Sequence, residues 1–201
     1  MNNIDSLIKR LNYNKTIYAG YPTATDFDNS SCYYLLNQHL NNIGNPYTSG
    51  SCFSTFGHER AVLNFFMKNF NTDSDKSWGY IASCSTEAIL FASWRCREHF
   101  QNKDVILISS EYSHYCVDKI AKIINIKNYR IASNKNGDIN LDKFKTFIEK
   151  KSFEKDIAVL FVGTIGSTIT SSIDDFKSIR KILDKNNIVN YIHLDAALDG
   201  A

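Results

Sequence analysis

Four short stretches of the sequence carry side chains whose types and spacing could do chemistry. They are Ser83-Cys84-Ser85-Thr86-Glu87, Glu111-Tyr112-Ser113-His114-Tyr115, Thr164-Ile165-Gly166-Ser167-Thr168 and Asp195-Ala196-Ala197. Each follows an apolar run of strand length, so each is expected at the carboxyl end of a strand, where open α/β sheets bind ligands. Ser83, Ser85 and Thr86 open a helix, where free N–H groups and the positive end of the helix dipole suit an anion, most naturally phosphate. His114 could lay a flat imidazole on a planar ligand. Asp195 follows Tyr-Ile-His-Leu, and a carboxylate in so apolar a setting needs a partner. A protonated ring nitrogen would serve. Ala196 and Ala197 would let a flat ring lie close to the backbone, and Gly163 and Gly166 bracket a loop with Ser167 and Thr168 as donors.

Each piece also has a plainer reading. Serine and threonine at a helix start can simply cap it. A lone histidine is more often a surface or capping residue than a ligand. Glycines in a βα loop serve ordinary turns, and Asp174-Asp175 most simply starts the helix that follows. His193 and Asp195 share one strand face and could hold a metal, but no further ligand stands at an evident spacing. Neither G-x-G-x-x-G nor G-x-x-x-x-G-K-[ST] occurs, so a dinucleotide or nucleoside triphosphate lacks its fingerprint. Together the four stretches describe a planar, phosphorylated cofactor with a basic ring nitrogen, and pyridoxal 5'-phosphate meets that description.

The elements that must position these residues follow from periodicity. Residues 1–57 read as an arm of short helices and turns, with Leu35, Leu36 and Leu40 at helical spacing and a turn at Gly44-Asn45-Pro46. A helix fits 57–70, where Val62, Phe65, Phe66 and Phe70 form one stripe. From Trp78 the pattern alternates. Strands are expected at 78–83, 104–110, 129–133, 156–164 and 191–197, and helices at 85–100, 113–125, 141–151 and 174–187. Alternation of these lengths predicts an α/β fold with a mostly parallel sheet and helices on both faces.

Composition excludes several classes. The 23 basic and 21 acidic residues are interspersed and leave a net charge of +2, which gives no footprint for nucleic acid or an acidic membrane. Five cysteines without a C-x-x-C pair argue against a zinc site or a disulfide framework and for reduced thiols in the cytoplasm. The N-terminus is too polar for a signal peptide, and no apolar run is long enough to span a membrane.

Seven stretches, in order and spacing, resemble the pyridoxal-phosphate group II amino-acid decarboxylases, in the branch of the bacterial histidine decarboxylases and plant serine decarboxylases. They are GYPTATDFD (20–28), LNNIGNPY (40–47), FGHERAVLNFF (56–66), WGYIASCSTEA (78–88), ISSEYSHYCVDKIAK (108–122), GTIGSTITSSIDD (163–175) and YIHLDAALDG (191–200). The resemblance implies the large domain of a fold type I enzyme over 58–201, preceded by an arm over 1–57 that serves dimer formation and the substrate side. It implies that Ser85 and Thr86 hold the cofactor phosphate and that His114 stacks on the ring. Ser167 would stand beside the cofactor where the family has threonine. Asp195 would pair with the ring nitrogen, and Ala197 would pack on the opposite face. His114 and Asp195 would be the catalytic pair, the substrate a small-molecule amino acid, and the full-length form a homodimer.

The chain departs from the family in three places. The phosphate loop N-G-G-T-E-G-N is here Ser83 to Ile89, with Cys84, Ser85 and Ala88 in place of the glycines. Thr164 replaces an asparagine before Gly166. No lysine stands in the S-x-H-K motif through which the family links its cofactor, and the C-terminal small domain has no counterpart. The resemblance therefore implies an N-terminal portion with negligible turnover alone. The leading expectation is decarboxylation of L-histidine to histamine and CO2. The alternatives are serine decarboxylation, another fold type I reaction such as that of an aminotransferase or lyase, and a non-catalytic remnant or interaction protein.

Overall fold

An isolated strand is unstable, and the apolar runs 104–110 and 157–164 find neighbours on both sides. In the computed structural model, which describes residues 3–18, 28–48, 52–154 and 156–200, the chain forms two compact units, 1–80 and 81–201.

The first unit is helical. Helix α1 (Ile4–Ile17) starts at Asn3, whose side chain accepts the Asp5 N–H at 3.1 Å, and it buries none of its residues. The leucine-bearing segment forms a 3-10 helix at Ser30–Asn37 in place of the α-helix its spacing suggests. Asn45 in the Gly-Asn-Pro turn accepts from the Tyr47 N–H at 3.0 Å and from the Trp78 indole at 3.2 Å. Helix α2 (Phe56–Asn69) is tied to that turn by Arg60, which donates to the Pro46 carbonyl at 2.6 Å. Residues 20–27 of the GYPTATDFD stretch lie outside the described residues.

The second unit alternates α3 (Ser85–His99), β1 (Asp104–Ser110), α4 (Cys116–Ile123), β2 (Lys127–Ile131), α5 (Leu141–Lys151), β3 (Ile157–Thr164), α6 (Phe176–Lys185) and β4 (Val189–Asp195). All strand pairs are parallel, in the order β2-β1-β3-β4. The central strands are buried on both faces, which accounts for their continuous apolar runs. Val105, Leu107, Leu160 and Val162 pack under α3 and α4 through Ile89, Val117 and Ile120. Ile106, Ile108, Val159 and Phe161 pack under α5 and α6 through Phe144, Ile148, Ile179 and Leu183. The expected sheet with helices on both faces is thus present. The expected strand at 78–83 is not: residues 78–82 pair with no strand, since β2 and β4 each bond to one neighbour only among the described residues.

Helix starts are marked by short polar side chains. The Asn140 side chain accepts the Lys143 N–H at 3.0 Å at the start of α5. Replacing Asn140 by alanine is expected to lower stability by about 1 kcal/mol, read as a shifted urea midpoint with an unchanged slope.

Candidate cofactor site

Strands β3 and β4 are in register with Thr164 opposite Asp195, and the Ile165 N–H donates to the Asp195 carbonyl at 2.8 Å. Partners in register share a face of the sheet. Leu160 and Val162 lie under α3 and α4, so Tyr191, His193 and Asp195 face the same side. The Asp195 carboxylate turns back to accept the Ala197 N–H at 3.3 Å through one oxygen. An ionised carboxylate has acceptor capacity for further donors. Burial pushes the His193 imidazole below its ordinary range, against the opposing pull of the Asp195 charge.

Above this strand end lies the start of α3. Its N-cap position is Cys84, and no side chain caps the helix in the ordinary way. Glu87 reaches back instead, accepting the Ser83 N–H at 2.7 Å and the Ser83 hydroxyl at 2.5 Å, as in half of a capping box. Ser85 is exposed and Thr86 half-buried at the first helical positions, so neither acts as the cap. The Cys84 thiol is held below its ordinary range, first by the Glu87 N–H and also by the Ser83 hydroxyl and the Thr86 N–H. Replacing a glycine by cysteine therefore places a sulfur on the amides that open the helix.

Cys116, buried at the start of α4, marks where the pieces meet. Burial pushes its thiol above the ordinary range; the Thr86 hydroxyl and Arg130 draw it down, and the Asp195 charge adds to the rise. Thr86 and Asp195 thus both act on one thiol, two residues beyond His114. His114 is half-buried in the β1–α4 loop. Its Nδ1 accepts the Cys116 N–H at 3.3 Å, which leaves the proton of the neutral ring on Nε2. Tyr115 packs against the imidazole with centroids 4.2 Å apart.

The β3–α6 loop is built differently. Gly166 has φ +79°, and a side chain there would begin 2.2 Å from the Asp199 carboxylate, so this position needs glycine on both counts. Ser167 is 3% exposed, and its hydroxyl is engaged by Thr170 at 2.6 Å and Ser172 at 3.2 Å. The structure therefore directs Ser167 into its own loop, whereas His114 follows β1, Asp195 ends β4 with Ala197 just after it, and Ser85 and Thr86 open α3.

Two residues organise this region: Asp174, expected only to start a helix, and Arg130, which the sequence reading did not single out. Asp174 does not start α6; Asp175 does, accepting the Ser178 N–H at 3.0 Å. Asp174 is 4% exposed and accepts the Thr164 N–H at 2.9 Å and the Ile139 N–H at 2.8 Å, tying the end of β3 to the turn before α5. Arg130 on β2 reaches the loop that carries His114. Neither has a local signal, because an acid before a helix and an arginine in a strand are ordinary until their partners are known.

The model of the pyridoxal-dependent decarboxylase conserved domain matches residues 67–201. Histidine decarboxylase of Vibrio campbellii is 35% identical over 193 residues, covering 93% of this chain and 48% of that protein. Serine decarboxylase 2 of Oryza sativa subsp. japonica is 34% identical over 196 residues, covering 96% of this chain and 41% of that protein. The chain spans about half the length of the curated relatives it matches. L-methionine decarboxylase from Streptomyces sp. 590 superposes with a TM-score of 0.85 over 97% of this chain and 54% of that one, at 18% identity, which is a likeness of fold. A parallel sheet of this order, with a strand that ends on an aspartate, and a family match over two thirds of the sequence lead to one conclusion: the chain belongs to the pyridoxal-dependent decarboxylases, with the fold type I architecture.

Proposed function

We propose that the chain provides the cofactor-binding part of a pyridoxal-phosphate-dependent amino-acid decarboxylase that converts L-histidine to histamine and CO2. The observation that carries this reading is the register that sets Asp195 opposite Thr164, whose hydroxyl lies 3.3 Å from that of Ser113 in the loop of His114. The donor set suits the cofactor. The start of α3 would offer a phosphate the helix dipole and the backbone N–H groups now shared with the Cys84 thiol, with the Ser85 and Thr86 hydroxyls beside them. Asp195 would hold a proton on the ring nitrogen, His114 would lie against one ring face and Ala197 against the other. When bound, pyridoxal phosphate supplies the electron sink that stabilises carbanion character at the substrate Cα. The chain's own contribution is to keep the ring nitrogen protonated, to orient the ring and to anchor the phosphate. Ser167 would join this set only after giving up bonds within its loop.

Histidine is favoured as substrate because histidine decarboxylases of Vibrio campbellii, Acinetobacter baumannii and Morganella morganii match the chain at 32–35% identity. The rice serine decarboxylase supports serine as the second reading. An arm over 1–57 that pairs with a second copy is consistent with α1, whose Ile4, Leu7, Ile8 and Leu11 are exposed. The five free cysteines suit a reducing cytoplasm, and no helix among the described residues is long and apolar enough to cross a membrane. The test is product analysis in a form of the protein extended through an S-x-H-K segment, with the 201-residue chain alongside. Histamine and CO2 from L-histidine, well ahead of ethanolamine from L-serine, are expected, with negligible turnover by the chain alone. Faster release from serine would replace the substrate assignment, and turnover by the chain alone would remove the need for the lysine.

A further inference from the structure

The Arg130 guanidinium has five N–H donors, and the structure gives each of them an acceptor. Nη1 donates to the carbonyls of Ser110 at 2.7 Å and Ser113 at 2.9 Å. Nη2 donates to the His114 carbonyl at 3.3 Å and to Asp118 Oδ2 at 2.9 Å, and Nε donates to Asp118 Oδ1 at 3.2 Å. Three of these acceptors are backbone carbonyls of the single loop that joins β1 to α4. The other two are the carboxylate in the first turn of α4, which also accepts from Asn128 on the same strand as Arg130. Arg130 faces the α3–α4 side of the sheet because it pairs in register with Ser109, which is in line with Leu107.

The loop's ordinary anchors are few. The Ser113 N–H bonds to the Ser110 carbonyl, the Glu111 N–H to the Ile131 carbonyl and the Tyr112 N–H to the Ser110 hydroxyl. The Ser113 hydroxyl also meets that of Thr164 at 3.3 Å and the Glu111 carboxylate accepts the Ser133 N–H at 2.8 Å, while the Ser113 carbonyl has Arg130 and the His114 carbonyl has Arg130 and the Val117 N–H at 3.1 Å. His114 is thus held at both ends, its ring by the Cys116 N–H and its backbone by the guanidinium.

We infer that Arg130 is a positioning residue for His114: it fixes the plane in which the imidazole is presented to the cofactor, acting through the backbone of residues 110–114. The inference rests on the cofactor reading for its functional consequence but not for its geometry. A lysine could supply the charge and three donors from one point, but not a planar fork that bridges three carbonyls and a carboxylate. Asp118 completes the device. Its carboxyl is held below the usual range, first by the Arg130 hydrogen bond, so the clamp is fully charged at neutral pH.

The test compares the 201-residue chain with its Arg130→Met and Arg130→Lys variants, each with His114 intact and with His114→Ala. Amide hydrogen exchange without cofactor is read over 110–117 and over β1 and β3. Pyridoxal phosphate affinity is read from absorbance titration. Loss of a group that orients a ligand from behind typically costs about tenfold in affinity. Arg130→Met is therefore expected to weaken cofactor binding about tenfold with His114 present and less than about twofold with His114→Ala, the non-additivity of coupled residues. Exchange over 110–117 should quicken by about tenfold while β1 and β3 keep their protection. Arg130→Lys should show the same pattern to a smaller degree and covers the case in which the methionine variant does not fold. Equal losses with and without His114, unchanged exchange in the loop, or faster exchange throughout the sheet would each overturn the inference. If the unaltered chain binds no pyridoxal phosphate, the cofactor reading fails, and the exchange pattern alone decides the role of Arg130.

Discussion

Asp174→Ala is expected to destabilise the chain by about 2–6 kcal/mol, because it strands two buried backbone N–H groups at a cost of about 1–3 kcal/mol each. Thr164 and Ile139 supply those groups. The loss should appear in urea unfolding as a lower midpoint. Asp174→Asn keeps one acceptor oxygen and should cost less. The two proteins should also differ in pH dependence. Burial raises the Asp174 carboxyl above its ordinary value of 3.8, against the lowering by the Thr164 and Ile139 N–H groups, and the Asp138 charge adds to the rise. A carboxyl with a raised folded-state value binds protons more tightly folded than unfolded. Its stabilising contribution is therefore full below the unfolded value and falls as pH rises through the folded one. The stability of the unaltered chain relative to Asp174→Asn should decline as pH rises from 3.8 through the raised value and then level off. A difference independent of pH would show that Asp174 is ionised at no cost.

Asp195→Asn is expected to weaken pyridoxal phosphate binding by about 30- to 100-fold, or about 2–3 kcal/mol, the lower part of the range for removing one member of a hydrogen-bonded charge pair. The lower part applies because Asp195 is only half-buried. Asparagine preserves the volume and can still accept the Ala197 N–H, so the local turn should survive. What it loses is the negative charge that would hold a proton on the ring nitrogen. The spectrum of the bound cofactor should therefore change along with its affinity, and at saturating cofactor the spectral difference should remain. Equal affinity with an unchanged spectrum would remove Asp195 from the ring nitrogen.

Much of the second unit was legible because its information is local. The buried runs 105–110 and 157–164 are apolar until Ser109, Ser110 and Thr164 at their carboxyl ends, and α5 is amphipathic between a capping Asn140 and the basic Lys150-Lys151. Three of the four stretches could be found because they follow β1, β3 and β4, and strand ends are where the sheet leaves polar residues near one another. The misses have non-local causes. Trp78 to Ala82 has strand-like residues but no neighbour to bond, and pairing is not written in a single segment. Leu35 and Leu36 sit in a 3-10 helix with no buried residue, where no packing selects the α-helical form. Ser167 has the right type in the right loop, yet its hydroxyl is turned by Thr170 and Ser172, partners that no spacing rule identifies. Arg130 and Asp174 matter through bonds to residues 10 to 35 positions away. Cys84 was visible only as a missing glycine, and its thiol proves to share the amides of the helix start.

The central claim is that the ends of β1 and β4 and the start of α3 form a pyridoxal phosphate site. The most direct measurement is a titration of the 201-residue chain with pyridoxal phosphate, followed by absorbance at neutral pH beside Asp195→Asn. A saturable, protein-dependent change for the unaltered chain, shifted to higher concentration and altered in spectrum by Asp195→Asn, is the predicted result. No saturable change, or two superimposable curves, would contradict it.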